Sequence, residues 1–222
     1  MSLLDHLSAL WAPKANRLPK LSGPAFVLGS APGAQPPPAG LDWTFATVNG
    51  SQAILEGWGH SPDLTLFGRT FIAGSPANAE TRRVIRGHGT KTLICVGVRR
   101  EYRYYSKAIE AIGYRPERVA LMTSDYRKDM IRSWIELDVR EIGRLSNGVV
   151  LALLSLHLGA DEILMSGLSL STHGHAYSNK GYSRGHIDAD RLALNEMGRR
   201  GLPVRALDPV FAEESGLPLY TR

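Results

Sequence analysis

Short apolar runs recur along the chain, and segments with helical periodicity separate them. Strands are predicted at 25–29, 44–49, 63–67, 92–97, 118–122, 162–167 and 204–208. Helices are predicted at 76–87, 101–113, 125–142, 147–159 and 188–200. Strands that are apolar on both faces and alternate with helices indicate a parallel sheet covered on both sides. The sequence therefore predicts an α/β fold, namely a doubly wound, mainly parallel sheet of about seven strands with helices on both faces.

The length and composition indicate one domain. With 222 residues, of which 43% are hydrophobic, the chain can bury one sizeable core but is short for two independent domains. We predict a single Rossmann-like nucleotide-binding domain over 1–222, with a short lid-like insertion at about 171–186. No stretch approaches the roughly 20 apolar residues that span a bilayer, and the amino terminus has no basic leader. The single cysteine, Cys95, lies in an apolar run, so we expect a buried thiol and a cytoplasmic protein.

Basic residues are concentrated in the middle of the chain, which has a net charge of +5. Residues 82–132 contain 13 Lys or Arg and 5 Asp or Glu. Such a segment either forms solvated helix faces or contacts an anionic surface, which leaves open a peripheral contact with the inner membrane. The segment carries no recognisable nucleic-acid motif, so we expect no specific nucleic acid partner.

Small and polar residues follow the predicted strands at the edge where an open α/β sheet binds its ligands. The first strand ends in the turn Gly29, Ser30 and Ala31, which would let a nucleotide approach the backbone closely. The turn matches neither the dinucleotide nor the P-loop motif, and a tight connection to the next element is the alternative explanation. Asn49 follows the second strand, where it can bind a ligand or form a turn, and Gly167 ends the sixth strand.

Ser146 and Asn147 precede the apolar run 148–159, which is typical of a buried helix. Either residue can cap the first turn, and the free amide groups of a helix amino terminus attract a phosphate. Capping alone would explain both residues, so a nucleotide-binding role is a hypothesis at this point. His157 lies among leucines in this run, and we expect it to be a core histidine.

The loop after Gly167 is dense in side chains that can move protons. Residues 173–186 include His173, His175 and His186, which offer a general base near neutral pH. Tyr177 and Tyr182 add phenols that can hydrogen-bond a phosphate. The histidine spacing matches no usual zinc motif, and we expect no metal ion.

One block of the chain resembles a known family. The block consists of the apolar helix and five short segments: 144–148, 158–163, 166–167, 174–177 and 185–186. It resembles the bacterial sialyltransferases of glycosyltransferase family 42. The resemblance implies transfer of a sialic-acid-type sugar from a CMP-activated donor to a hydroxyl group, with no metal and no other cofactor. The partners implied are the nucleotide-sugar donor and a glycan or other hydroxyl acceptor. We also expect a homo-oligomer.

The resemblance also implies roles for individual residues. His186 would be the general base, and Tyr177 and Tyr182 would support the phosphate of the departing nucleotide as catalytic residues. Asn49 and Ser146 would line the donor site, at the end of the sheet that holds the first-strand turn.

This sequence departs from the family at two places in the nucleotide pocket. The first turn of the family usually reads Gly-Asn-Gly-Pro-Ser, whereas residues 29–33 here read Gly-Ser-Ala-Pro-Gly. An asparagine at the tip of the third strand is replaced by Gly68 or Arg69. Two other functions therefore stay open: a magnesium- and ATP-dependent pyrophosphokinase of the hydroxymethylpterin type, and a non-catalytic module that binds nucleotides or carbohydrate.

Overall fold

Parallel strands form one sheet at the centre of the computed structural model, which describes residues 18–72, 74, 78–98, 102–172, 174–177 and 185–221. The strands are β1 (Pro24–Leu28), β2 (Thr44–Val48), β3 (Leu64–Phe67), β4 (Gly89–Gly97), β5 (Arg115–Thr123), β6 (Glu162–Ser166) and β7 (Val204–Ala206). Their order across the sheet is β5-β4-β3-β2-β1-β6-β7, and every neighbouring pair is parallel. The predicted seven-stranded parallel sheet is confirmed.

Helices connect most successive strands, whereas a loop over 29–43 joins β1 to β2. The described helices are α1 (Gln52–Gly57), α2 (Arg69–Ile72), α3 (Ala79–Val84), α4 (Tyr102–Ile112), α5 (Ser124–Ile135), α6 (Val139–Ile142), α7 (Asn147–Leu158), α8 (Ile187–Arg199) and α9 (Pro209–Ser215). The prediction of one helix over 125–142 is wrong, because Glu136 adopts a left-handed conformation with φ of 54° and ends α5. Asp138 then accepts a hydrogen bond from the backbone N–H of Arg140 and starts α6.

Alternate residues of the strands pack on opposite faces of the sheet. Ala25 and Val27 belong to the core beneath α7, whereas Phe26 and Leu28 belong to a separate core on the other face. The second face is also covered by α2 and α4, whose apolar residues pack against β3 and β4. Cys95 is buried there, and burial raises the pKa of its thiol to about 12. Both faces are thus covered, as predicted.

Helix α7 is apolar on nearly all of its sides and is buried accordingly. It lies against β1, β2 and β6, and α5 and α8 cover it from outside. The helix begins after Ser146, whose hydroxyl accepts a hydrogen bond from the N–H of Val149 at 3.5 Å, and it ends at Gly159 with φ of 111°. His157 is exposed, where Trp134 Nε1 donates a hydrogen bond to its Nδ1 at 3.3 Å. The prediction of a core histidine is therefore wrong.

The order of the strands creates a crevice next to β1. The chain builds the sheet in one direction from β1 to β5 and then returns to the opposite side of β1 with β6. Connections on the two sides of β1 therefore diverge at its carboxyl end, where open α/β sheets bind ligands. In the described part of the chain, no helix is long and apolar enough to cross a bilayer.

Candidate functional site

A cavity of about 260 Å³ lies at the carboxyl edge of the sheet. It is bounded by the tips of β1, β2 and β6 and by the first turns of α7 and α8. Of the residues proposed from the sequence, the lining contains Gly29, Ser30, Asn49, Ser146, Asn147, Gly167 and His186. These seven residues lie together at the cavity, although more than 150 positions separate the first from the last in the sequence.

The tips of β1 and β6 are in backbone contact at the floor of the cavity. The N–H of Gly29 donates to the carbonyl of Ser166 at 2.8 Å, and the N–H of Ala31 donates to the carbonyl of Gly167 at 2.7 Å. A side chain at Gly29 would collide with the Gly167 carbonyl, so the approach requires glycine. Ala31 is buried and is not among the residues that line the cavity, so the structure does not place it with the other predicted nucleotide-binding residues.

Two asparagines meet at the amino terminus of α7. Asn147 Nδ2 donates to Asn49 Oδ1 at 3.4 Å, and the backbone N–H of Gly68 lies at the same distance from that oxygen. Asn49 has a left-handed backbone with φ of 48°, a conformation that asparagine tolerates better than most residues. The two explanations of Asn49 from the sequence are therefore compatible, because its backbone forms a turn and its side chain lines the cavity.

Gly68 leaves room for the Asn147 side chain. A Cβ atom at Gly68 would lie 2.9 Å from Asn147 Nδ2. The asparagine that the family resemblance expects at the tip of the third strand is absent. The structure nevertheless has an amide group beside that tip, and it comes from α7 rather than from β3.

His186 stands at the start of α8 and lines the cavity. Its carbonyl accepts a hydrogen bond from the N–H of Asp190 at 2.8 Å. The ring atom Nδ1 is buried and has no hydrogen-bond partner among the described residues. Buried polar atoms without a partner are uncommon in folded proteins, and a catalytic role is one explanation for them.

Asp190 ties α8 to α7. Its carboxylate accepts a hydrogen bond from the backbone N–H of Ser146 at 2.8 Å, and the residue is only 8% exposed. The bond positions the first turn of α7 relative to His186, which lies one helical turn before Asp190. Sequence reasoning did not identify Asp190, although its spacing from His186 places both residues on one side of α8.

The segment 174–177 folds back onto the tip of β1. Ser30 Oγ and His175 Nδ1 are 2.6 Å apart, and the Ser30 carbonyl accepts a hydrogen bond from the N–H of Ala176 at 2.8 Å. The rings of His175 and Tyr177 are stacked, with centroids 5.2 Å apart and an interplanar angle of 3°. His175, one of the three histidines that the sequence offers as a base, also lines the cavity.

Tyr177 lies beside the cavity rather than in its described lining. Its hydroxyl accepts a hydrogen bond from Thr81 Oγ1 at 3.4 Å, and its ring packs so closely on Gly50 that a side chain at Gly50 would clash with it. Tyr182 and His173, along with residues 178–184 of the predicted lid, lie outside the described residues. The described residues contain no group of three or more His, Cys, Asp or Glu side chains arranged to hold a metal ion.

Glu214 of α9 holds the loop that leads from β6 to His175. Its carboxylate accepts hydrogen bonds from the N–H of Leu170 at 2.7 Å, from Ser169 Oγ at 3.3 Å and from Ser171 Oγ. Burial of the carboxylate acts to raise its pKa, but these hydrogen bonds outweigh burial and the pKa of Glu214 is lowered. The loop is thus anchored before it reaches the cavity.

The cavity has a positive side chain at its mouth. Arg144 lines the cavity, and the positive charge of Arg144 acts on the neighbouring Arg127. The pKa of Arg127 is lowered, first by burial and then by Arg144, and no described residue accepts a hydrogen bond from its buried Nε atom. The Arg144 guanidinium favours an anionic ligand on this side of the cavity.

No family model matches the chain, and no curated protein sequence matches it. Solved structures do match. Cst-I, a monofunctional alpha-2,3-sialyltransferase from Campylobacter jejuni, is 13% identical with a TM-score of 0.60, over 93% of this chain and 84% of that one. The sialyltransferase CST-II in complex with a trisaccharide acceptor and CMP is 14% identical with a TM-score of 0.59, over 89% and 86% of the chains. CstII from Campylobacter jejuni in complex with the substrate analogue CMP-3FNeuAc is 14% identical with a TM-score of 0.52, over 90% and 86%.

The chain has the fold of these sialyltransferases. The likeness extends over most of its length, which agrees with the α/β fold implied by the block at 144–186. At these identities the likeness establishes the fold, whereas the roles of individual residues rest on the geometry of the site.

Replacing Asp190 by alanine should loosen the start of α7. The backbone N–H of Ser146 would lose its acceptor, and we expect the free energy of unfolding to fall by about 1–3 kcal/mol. Asp188→Ala is the matched control, because its side chain is 95% exposed in the same first turn of α8. Urea unfolding of both variants measures the difference, and equal losses would contradict the proposed role of the Asp190 bond.

Glu214→Gln should change how stability depends on pH. Because the folded-state pKa of Glu214 is lowered, its ionised hydrogen bonds stabilise the fold above the ordinary pKa of a glutamate. This contribution is lost as the pH falls through the lowered pKa. The stability gap between wild type and variant should thus be largest near neutral pH and narrow on acidification, whereas exposed Glu213→Gln should show no such trend. Unfolding curves over a pH series would contradict the analysis if the gap stayed constant.

Proposed function

We propose that the protein is a glycosyltransferase that moves a sialic-acid-type sugar from a CMP-activated donor to a hydroxyl acceptor. One observation carries the proposal: His186 lines the same cavity as the amino terminus of the buried helix α7. A general base and an anion site are thus adjacent at the edge where this fold binds ligands. The solved structures that share the fold include sialyltransferases in complex with CMP, which supports the choice of donor.

The donor would occupy the crevice between β1 and β6. Its phosphate would lie at the first turn of α7, where the helix dipole favours negative charge. Ser146 and Asn147 stand at that turn, and the side chain of Asn49 offers an amide to the nucleoside or the sugar. Gly29 and Gly167 let the donor approach the backbone, and Arg144 would attract the carboxylate of the sugar.

The reaction needs one base and support for one leaving group. His186 would take the proton of the acceptor hydroxyl while that oxygen bonds to the anomeric carbon of the sugar. The bond between this carbon and the phosphate oxygen breaks, and its electron pair stays with CMP. Tyr177 would support the phosphate as a hydrogen-bond donor, and Tyr182 is proposed for the same role on the basis of the family resemblance. No metal ion takes part in the proposed reaction.

His186→Ala tests the base directly. We expect turnover of CMP-sialic acid to fall by about 10²–10⁴-fold, because a positioned general base contributes that much, while CMP affinity is retained. His157→Ala is the matched control, since this histidine is exposed on α7 and does not line the cavity. CMP release is measured with and without a glycan acceptor. Full activity of the His186 variant would contradict the assignment.

A thermal-shift series separates this function from the alternatives. A ligand that binds only the folded state raises the melting temperature, so CMP without magnesium should stabilise the protein. Stabilisation only by ATP with magnesium would instead favour a pyrophosphokinase. Binding of CMP without turnover of any CMP-sugar, in wild type as in His186→Ala, would favour a non-catalytic binding module.

Two partners expected from the sequence stay predictions. A homo-oligomer is tested by sedimentation velocity over a range of concentrations. Contact of the basic segment 82–132 with an anionic membrane is tested by sedimentation with anionic vesicles. In this segment Arg82 and Arg83 already donate hydrogen bonds within the chain. Vesicle binding that does not weaken with added salt would exclude an electrostatic contact.

A further inference from the structure

The contact between Ser30 and His175 joins two parts of the site that are 145 residues apart in the sequence. Two hydrogen bonds form this contact. Ser30 Oγ lies 2.6 Å from His175 Nδ1, and the Ser30 carbonyl accepts a hydrogen bond from the N–H of Ala176 at 2.8 Å. The parallel ring of Tyr177 supports the imidazole from the side. His175 is thus a positioned histidine in the cavity lining, and the base role assigned to His186 leaves it without a function.

The His175 imidazole lies at the edge of the sheet where the phosphate of a nucleotide would bind. Ser30 directly follows Gly29 at the carboxyl tip of β1, next to the switch in strand order. Phosphates of nucleotides bind at such tips in open α/β sheets. His175 and the first turn of α7 both line the same cavity, so one ligand in the cavity can contact both.

We propose that His175 donates a hydrogen bond to the phosphate of the nucleotide leaving group, and that Ser30 positions it. The inference rests on the proposed function and adds to it a phosphate-binding residue. The Ser30 hydroxyl can donate to Nδ1, and the neutral imidazole then carries its hydrogen on Nε2, where it can donate to an anion. An imidazolium would donate from both nitrogens, with Ser30 Oγ as an acceptor.

The step needs no further reactant. When the bond between the anomeric carbon and the phosphate oxygen breaks, its electron pair moves onto that oxygen. The hydrogen bond from Nε2 strengthens as this charge develops, and the proton stays on the imidazole. The proton of the acceptor hydroxyl goes to His186, so the two histidines act on opposite sides of the same bond rearrangement.

The ratio of CMP affinity to cytidine affinity isolates the phosphate contact. Calorimetry with both ligands is compared for wild type, His175→Ala, His175→Gln and the exposed control His157→Ala. Removal of a hydrogen bond to a charged group should reduce the CMP affinity of His175→Ala by about 10–100-fold while cytidine affinity stays unchanged. His175→Gln keeps an N–H donor and should retain part of the ratio. Ser30→Ala should lower the ratio without changing cytidine affinity.

Each outcome has a separate meaning. If His175→Ala keeps the wild-type ratio of CMP affinity to cytidine affinity, the role of His175 is overturned and the proposed function is unaffected. A wild-type protein that binds neither ligand overturns the proposed function and the inference together. Equal losses for CMP and cytidine in His175→Ala also overturn the inference, because they would show a general structural role. Circular dichroism of each variant verifies that it is folded.

Discussion

The burial of α7 on nearly every side constrains the rest of the molecule. A helix without a polar face has to be covered all round, and here the sheet covers one side while α5 and α8 cover the other. Its first N–H groups cannot pair within the helix and need other partners. They emerge at the carboxyl edge of the sheet, beside the switch in strand order. The same packing that forms the core therefore places the amino terminus of this helix at the cavity.

Hydrogen bonds between distant segments hold the cavity in shape. Asp190 connects α8 to the start of α7, and Glu214 connects α9 to the loop after β6. These anchors come from ordered helices, so the groups that face the cavity are largely arranged before a ligand binds. Arrangement of this kind lowers the entropic cost of bringing reacting groups together. It also means that residues outside the cavity contribute to its geometry.

The sequence predicts the sheet well because each strand contains a short apolar run, although β4 and β5 begin three residues before their predicted runs. It predicts α7 because a cap precedes a long apolar run. It cannot place His157, since a run that is apolar on all sides contains no information about which side faces water. It also misses the break at Glu136, because no glycine or proline marks the left-handed residue. The sequence offers His175 as one of three candidate bases but does not pair it with Ser30, because Ser30 belongs to another part of the chain. Contacts at that separation depend on topology rather than on local pattern.

The close approach of Gly68 and Asn147 limits which residues can replace them in evolution. A side chain at position 68 and the amide of Asn147 compete for the same volume beside the tip of β3. Adding an asparagine at 68 alone would crowd the pocket, and shortening Asn147 alone would leave a gap. An asparagine at position 68 would therefore require the Asn147 amide to move aside. The two positions should covary among relatives of this chain, as two solutions to the same steric problem.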